Sequence, residues 1–294
     1  MRAFFILVII AFNWLTVLAQ SKGRQVDGEL TVDGNKRSFL TYIPTDLGKV
    51  KVPLVISLHG GFGTPKGMFK LANFKPIADI GQFIVICPAS KRIWHDGKDN
   101  KGIDDVKFID ELIDYAIRNY NVDPTRVYLA GISNGGFMTA RLACQLDKRI
   151  AAVAIVAATL DVKEGYDLKR PIPALYIHGT KDKIVSYDGG DLFGREIYSH
   201  DDVVQKWVKL NGCNPNPTLT EIPDVAGDGT SILKAEYLNP ANNLKVASYT
   251  VINGGHTWPG GKQYLPEFIV GKTTRNLNAC QEIWNFFKPY KLTH

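Results

Sequence analysis

Cysteine is scarce: four residues in 294, at Cys87, Cys144, Cys213 and Cys280, with no spacing that suits a metal site. That scarcity excludes a disulfide-dense miniature scaffold and a zinc ribbon. Beyond the first twenty residues no apolar run is long enough to span a bilayer. Also missing are a basic run interleaved with aromatics, an internal repeat, a low-complexity tract and a Ser/Thr-rich linker. These absences argue against a nucleic-acid binder, a solenoid and a modular protein with an appended binding domain. The formal charge is only +6, from 35 basic and 29 acidic residues that are interspersed. It speaks to solubility, with a mild pull toward an acidic polysaccharide.

What is present begins with Met1-Arg2 and an apolar run reaching Leu18, closed by Val17-Leu18-Ala19. One positive charge, an apolar stretch interrupted by Asn13 and a small residue at its end describe a secretory signal, residues 1–19, rather than a membrane anchor. The mature chain, residues 20–294, is then a single domain, exported to the periplasm or the medium. There, one or two disulfides are allowed, although Cys87 on a strand and Cys144 on a helix also suit buried thiols.

The periodicity alternates. Residues 25–32 and 36–43 form a hairpin around Asp33-Gly34. Buried strands are expected at 53–58, 83–87, 127–132, 150–157, 172–177 and 245–252, with two polar-apolar strands between Thr218 and Leu238. Helices are expected at about 66–80, 104–120, 134–146, 201–210 and 274–287, with residues 121–125 as a loop. Buried strands interleaved with helices predict an α/β fold, a mostly parallel sheet flanked by helices on both faces.

The decisive stretch is Gly131-Ile132-Ser133-Asn134-Gly135-Gly136. An apolar strand that turns sharply into a helix with serine at the apex is a nucleophile elbow, and its neighbours two before and two after must lack bulk. Ligands of such sheets sit at the carboxyl ends of strands. There the sequence places His59-Gly60-Gly61, Ser133, Asp182 and His256. A serine hydroxyl is a poor nucleophile without a base, which assigns His256 as base and Asp182 as the acid that orients it, with Asp188 and Asp191 as rivals. Backbone donors for the oxyanion would come from Gly61 or Phe62 and from Asn134. His59 and His178 read as structural, with His59 also a candidate to line the cleft, and Asp104 and Asp105 as helix caps. Trp94, Trp258 and Tyr264 lie on loops at the active edge, either as an aromatic wall for a ring or sugar, or as core.

Leu58-His59-Gly60-Gly61, the serine elbow, His178-Gly179-Thr180-Lys181-Asp182 and Gly254-Gly255-His256-Thr257-Trp258-Pro259-Gly260 together resemble the exported esterases that include feruloyl esterases, acetylxylan esterases and polyhydroxybutyrate depolymerase-like proteins. The resemblance covers nearly the whole mature chain. It implies an α/β-hydrolase fold, serine esterase chemistry without cofactor or metal, and the roles just given. Many relatives carry a second cysteine where this chain has Asn239, which leaves Cys280 as the candidate partner of Cys213. The expected substrate is a feruloyl or acetyl ester of plant cell-wall xylan. The alternatives are a short-chain polyester depolymerase, an inactive carbohydrate-binding relative, and a peptidase, for which no propeller or lid domain is in view.

Overall fold

A computed structural model describes residues 23–45, 47–96, 103–163 and 169–292. The expected signal segment lies outside the described residues. In chain order the elements begin with β1 (Arg24–Val32) and β2 (Asn35–Ile43), then β3 (Val52–Leu58), α1 (Pro65–Leu71), α2 (Lys75–Gly81), β4 (Ile84–Pro88) and α3 (Asp105–Tyr120). They continue with β5 (Val122–Ile132), α4 (Asn134–Gln145), β6 (Ala152–Val156), β7 (Ala174–Gly179), β8 (Gly190–Leu192), β9 (Arg195–Ile197) and α5 (His200–Leu210). The chain closes with β10 (Thr218–Ile222), β11 (Ser231–Asn239), β12 (Leu244–Ile252), α6 (Glu267–Val270) and α7 (Ala279–Phe287).

Among the described residues, ten strands form one sheet in the order β1-β2-β4-β3-β5-β6-β7-β12-β11-β10. The six from β4 to β12 run parallel, and antiparallel pairs close both edges. Every residue of β3, β4, β6 and β7 is buried, as a strand covered by helices on both faces requires. The two faces carry separate apolar layers, one under α3, α4 and α5, the other under α1, α2 and α7. In register, Leu58 pairs with Gly131, Gly131 with Ile155, and Gly179 with Val251. The loops after β3, β5, β7 and β12 therefore leave from one edge.

Four expectations change. The helix foreseen over 66–80 is two helices, because Pro76 has no N–H to give and its ring would crowd the preceding turn; α2 restarts there. The segment 121–125 is already strand from Val122. The last helix starts at Ala279 rather than near 274, capped by Asn278 on the Gln281 amide; ahead of it, Asn276 is drawn off to hydrogen-bond Asp224 and the Thr230 carbonyl. All four cysteines are buried, and Cys213 and Cys280, both free, lie in opposite apolar layers. The Cys213–Cys280 pairing is thus excluded by the sheet between them. Where relatives were expected to place a cysteine, Asn239 donates to the Asn211 carbonyl at 2.8 Å.

Candidate active site

Ser133 sits between β5 and α4 with φ 57° and ψ −128°, a backbone region that side chains avoid. The conformation is held from both sides. Its amide donates to the Val156 carbonyl at 2.9 Å, and its carbonyl accepts from Gly136 and Phe137. A Cβ on Gly131 would overlap the Gly135 carbonyl, and one on Gly135 would overlap the carbonyls of Leu58 and His59. The two flanking glycines are demanded by this close approach of backbones.

The acid and the histidine come from the next strand ends. Asp182 follows β7 through a turn closed by its own amide on the Gly179 carbonyl. Its side chain is fully buried, and Oδ1 accepts from the amides of Ile184 and Val185, both at 2.8 Å. Oδ2 accepts from His256 Nδ1 at 2.7 Å. Burial pushes the Asp182 carboxyl up, but hydrogen bonds from His178 and His256 outweigh it and hold the group well below the usual carboxylate range. His256 follows β12 and is pinned by backbone. Its amide donates to Val270, its carbonyl accepts from the Tyr264 hydroxyl at 2.9 Å, and the Gly255 amide reaches Lys272. With Nδ1 occupied, Nε2 is the atom left for proton transfer.

Ser133 and His256 both open into one cavity of about 750 Å³. No hydrogen bond joins the serine hydroxyl to the imidazole in this geometry, a contact that in hydrolases often closes only around substrate. The cavity wall is largely apolar, with Met68, Ile93, Phe137, Val185 and Leu192 among its residues, and Asp96 and Arg195 as its charged pair.

Of the expected oxyanion donors, Phe62 is excluded as a donor: its amide already donates to the Arg92 carbonyl at 2.6 Å. Gly61 and Asn134 remain, with the Asn134 Cβ about a van der Waals contact from where a Gly61 Cβ would stand. The Asn134 amide opens α4, where the helix dipole favours negative charge. Its side chain does something unforeseen. Oδ1 accepts from the Trp94 amide at 2.6 Å and Nδ2 donates to the Trp94 carbonyl at 3.0 Å, so the elbow is strapped to the loop after β4.

The aromatic wall is corrected in part. Trp94 and Trp258 are each 1% exposed and are core residues. Trp94 Nε1 donates to the His59 carbonyl at 2.9 Å, and Trp258 packs edge-on against Phe74. Tyr264 lines the cavity at 41% exposure. His59 touches the cavity but is buried, and both ring nitrogens are taken, one by the Gly60 carbonyl at 2.7 Å and one by the Ser90 amide at 3.2 Å. Burial lowers its pKa, so it is a neutral brace. Asp191 caps the Gly194 amide and Asp188 is exposed, so neither rivals Asp182. Asp104 caps α3 as expected, whereas Asp105 is buried between Arg37 and His95.

Sequence reasoning missed the β8–β9 hairpin. It brings Leu192, Phe193 and Arg195 to the cavity, with Phe193 90% exposed at its tip. Arg195 bonds Asp161 at 2.9 Å and Asp96 at 3.1 Å, and its guanidinium lies 5.2 Å from the Phe137 ring centre. Burial raises the Asp96 carboxyl despite Arg195. Gly189-Gly190 and Gly194, all with positive φ, were the readable sign of this turn.

A parallel sheet, a strained serine between strand and helix, and an acid–histidine pair on later strand ends decide the matter. The chain has the α/β-hydrolase fold and is a serine ester hydrolase. A family model described as the prolyl oligopeptidase family matches residues 90–176, the part that contains the elbow. The chain is 29% identical to the putative esterase NocK of Nocardia uniformis subsp. tsuyamanensis, over 80% of this chain and 73% of that protein. It is 33% identical to feruloyl esterase B of Piromyces equi over 58% of this chain, but spans only 32% of that protein. In structure this α/β-hydrolase is similar to the acetyl xylan esterase from Aspergillus awamori, with a TM-score of 0.56 at 15% identity, covering 79% of this chain and 94% of the other.

Proposed function

We propose that the protein is a secreted serine carboxylic-ester hydrolase that removes feruloyl or acetyl groups from plant cell-wall polysaccharide. Ser133 attacks the ester carbonyl while His256 Nε2 takes its proton. The tetrahedral oxyanion is held by the amides of Gly61 and Asn134. His256 then gives the proton to the departing alcohol, leaving an acyl-Ser133, and water repeats the sequence to release the acid. Asp182 stays ionised throughout and keeps the imidazole in the tautomer that exposes Nε2. The observation that carries this reading is the 2.7 Å His256–Asp182 bond beside a cavity that His256, Ser133, Gly61 and Asn134 all line.

The substrate preference rests on the cavity wall. An apolar slot with one charged pair, Arg195 and Asp96, suits a flat ring that carries a polar group. Relatives named feruloyl and acetyl xylan esterase support the same class. Export rests on the composition of residues 1–19.

A second reading, a short-chain polyester depolymerase, is favoured by one feature: Phe62, Phe193 and Phe268 are 74%, 90% and 76% exposed. Rates on methyl ferulate, acetylated xylan and hydroxybutyrate oligomers, each with Ser133→Ala as control, separate the two. Release of ferulate or acetate that Ser133→Ala abolishes is the expected outcome. Turnover of oligomers alone transfers the protein to the second reading.

A further inference from the structure

His178 is a buried histidine that the mechanism above leaves unused. It lies on β7, four residues before Asp182, and is 1% exposed. Its Nε2 donates to the Val185 carbonyl at 2.9 Å and lies 3.2 Å from Asp182 Oδ2, the oxygen that His256 uses. The Val185 amide in turn donates to Asp182 Oδ1. One peptide, at Val185, is thus gripped from both sides: by the carboxylate through its N–H and by the imidazole through its C=O.

We propose that His178 is a positioning residue for the catalytic acid, an inference that rests on the esterase reading of Ser133, Asp182 and His256. Its N–H locks the turn 182–185 that aims the carboxylate. The same N–H turns the positive end of its dipole to the buried Oδ2, so that Asp182 remains ionised inside the protein. This role requires the neutral tautomer with the proton on Nε2. The surroundings agree: Nδ1 has no hydrogen-bond partner among the described residues. The groups packed around it are Asp182, the His200 ring at 5.5 Å and the Tyr187 ring at 5.6 Å, with Asp201 on the Tyr187 hydroxyl and His256 beyond Asp182. Burial keeps His200 well below its ordinary pKa.

Because His178 does not line the cavity, its loss should strike turnover and spare binding. His178→Leu removes the donor, while His178→Gln keeps an N–H. With Ser133-dependent hydrolysis in hand for the unaltered protein, His178→Leu is expected to lower kcat by on the order of tenfold with KM unchanged, the scale of a hydrogen bond to a charged group. The acid limb of kcat/KM should move to higher pH. Two effects share that sign: Asp182 protonates more readily, and while ionised it binds the imidazolium more strongly. His178→Gln should restore most of kcat and return the limb. An unchanged kcat and pH profile in His178→Leu overturns the proposal, as does a loss that His178→Gln does not relieve. If His178→Leu fails to fold, nitrogen NMR of the unaltered protein decides: a proton on Nε2 of His178 supports the role, and the Nδ1–H tautomer overturns it. Absence of hydrolysis by the unaltered protein would sink the esterase reading instead, and the tautomer would still report on His178.

Discussion

At the floor of the cavity the Asp182 side chain is fully buried and His256 is 3% exposed, with both residues tied to backbone on two sides. At the mouth, Phe62 and Phe193 stand 74% and 90% exposed, both with positive φ. Both regions are loops leaving the same sheet edge. The difference teaches where rigidity is needed: a proton must pass between atoms held within a few tenths of an ångström, whereas a substrate ring needs only a wall of about the right shape. Floor residues should therefore fail abruptly for every ester, and mouth residues gradually and selectively.

The largest effect is expected from Ser133→Ala, a loss of about 10⁵-fold in kcat on all esters with the unfolding midpoint nearly unchanged. A variant that retained selective activity would break the contrast at its centre. Asp182→Asn should lower kcat by about 10⁴-fold, because the amide can favour the wrong tautomer of His256.

That same substitution carries a stability signature. The folded pKa of Asp182 lies below its unfolded value of about 3.9, so its contribution is complete above that value and is lost as pH falls through the folded pKa. Urea unfolding from pH 6 to pH 2 should show a shallower decline in Asp182→Asn than in the unaltered protein. Parallel curves would contradict the depressed pKa.

Asn134→Ala tests the strap between floor and mouth. Two hydrogen bonds to the Trp94 backbone disappear while the oxyanion amide stays, so kcat should fall about tenfold and stability by roughly 1–3 kcal/mol, read by kinetics and denaturant titration. The smallest effect belongs to Phe193→Ala. It should raise KM a few-fold for aromatic esters, leave acetyl esters alone, and change stability by no more than about 0.5 kcal/mol. An equal loss on both ester classes would place Phe193 with the floor.

Much of this was legible in the chain. Runs such as Pro53–Leu58, apolar but for Ser57, and Ile172–Ile177, apolar throughout, read as strands covered on both faces. The elbow was readable because Gly131, Ser133 and Gly135 answer a steric demand that is local. Trp94 and Trp258 were not. A tryptophan on a loop has the same local pattern whether it lines a cleft or fills the core, and burial is settled by what arrives from elsewhere. Phe62 likewise gave no sign that Arg92 would claim its amide.

The sequence by itself determined the alternation of buried strands and amphipathic helices and the strained serine turn, because these follow from side-chain periodicity and short-range sterics. Only the tertiary structure decided that the Phe62 amide is spent on the Arg92 carbonyl, that Cys213 and Cys280 are kept apart by the sheet, and that a hairpin carries Arg195 to Asp96 across 99 positions of chain. Each of those outcomes depends on partners distant in sequence, and a hydrogen bond or a packed face exists only once both sides have arrived.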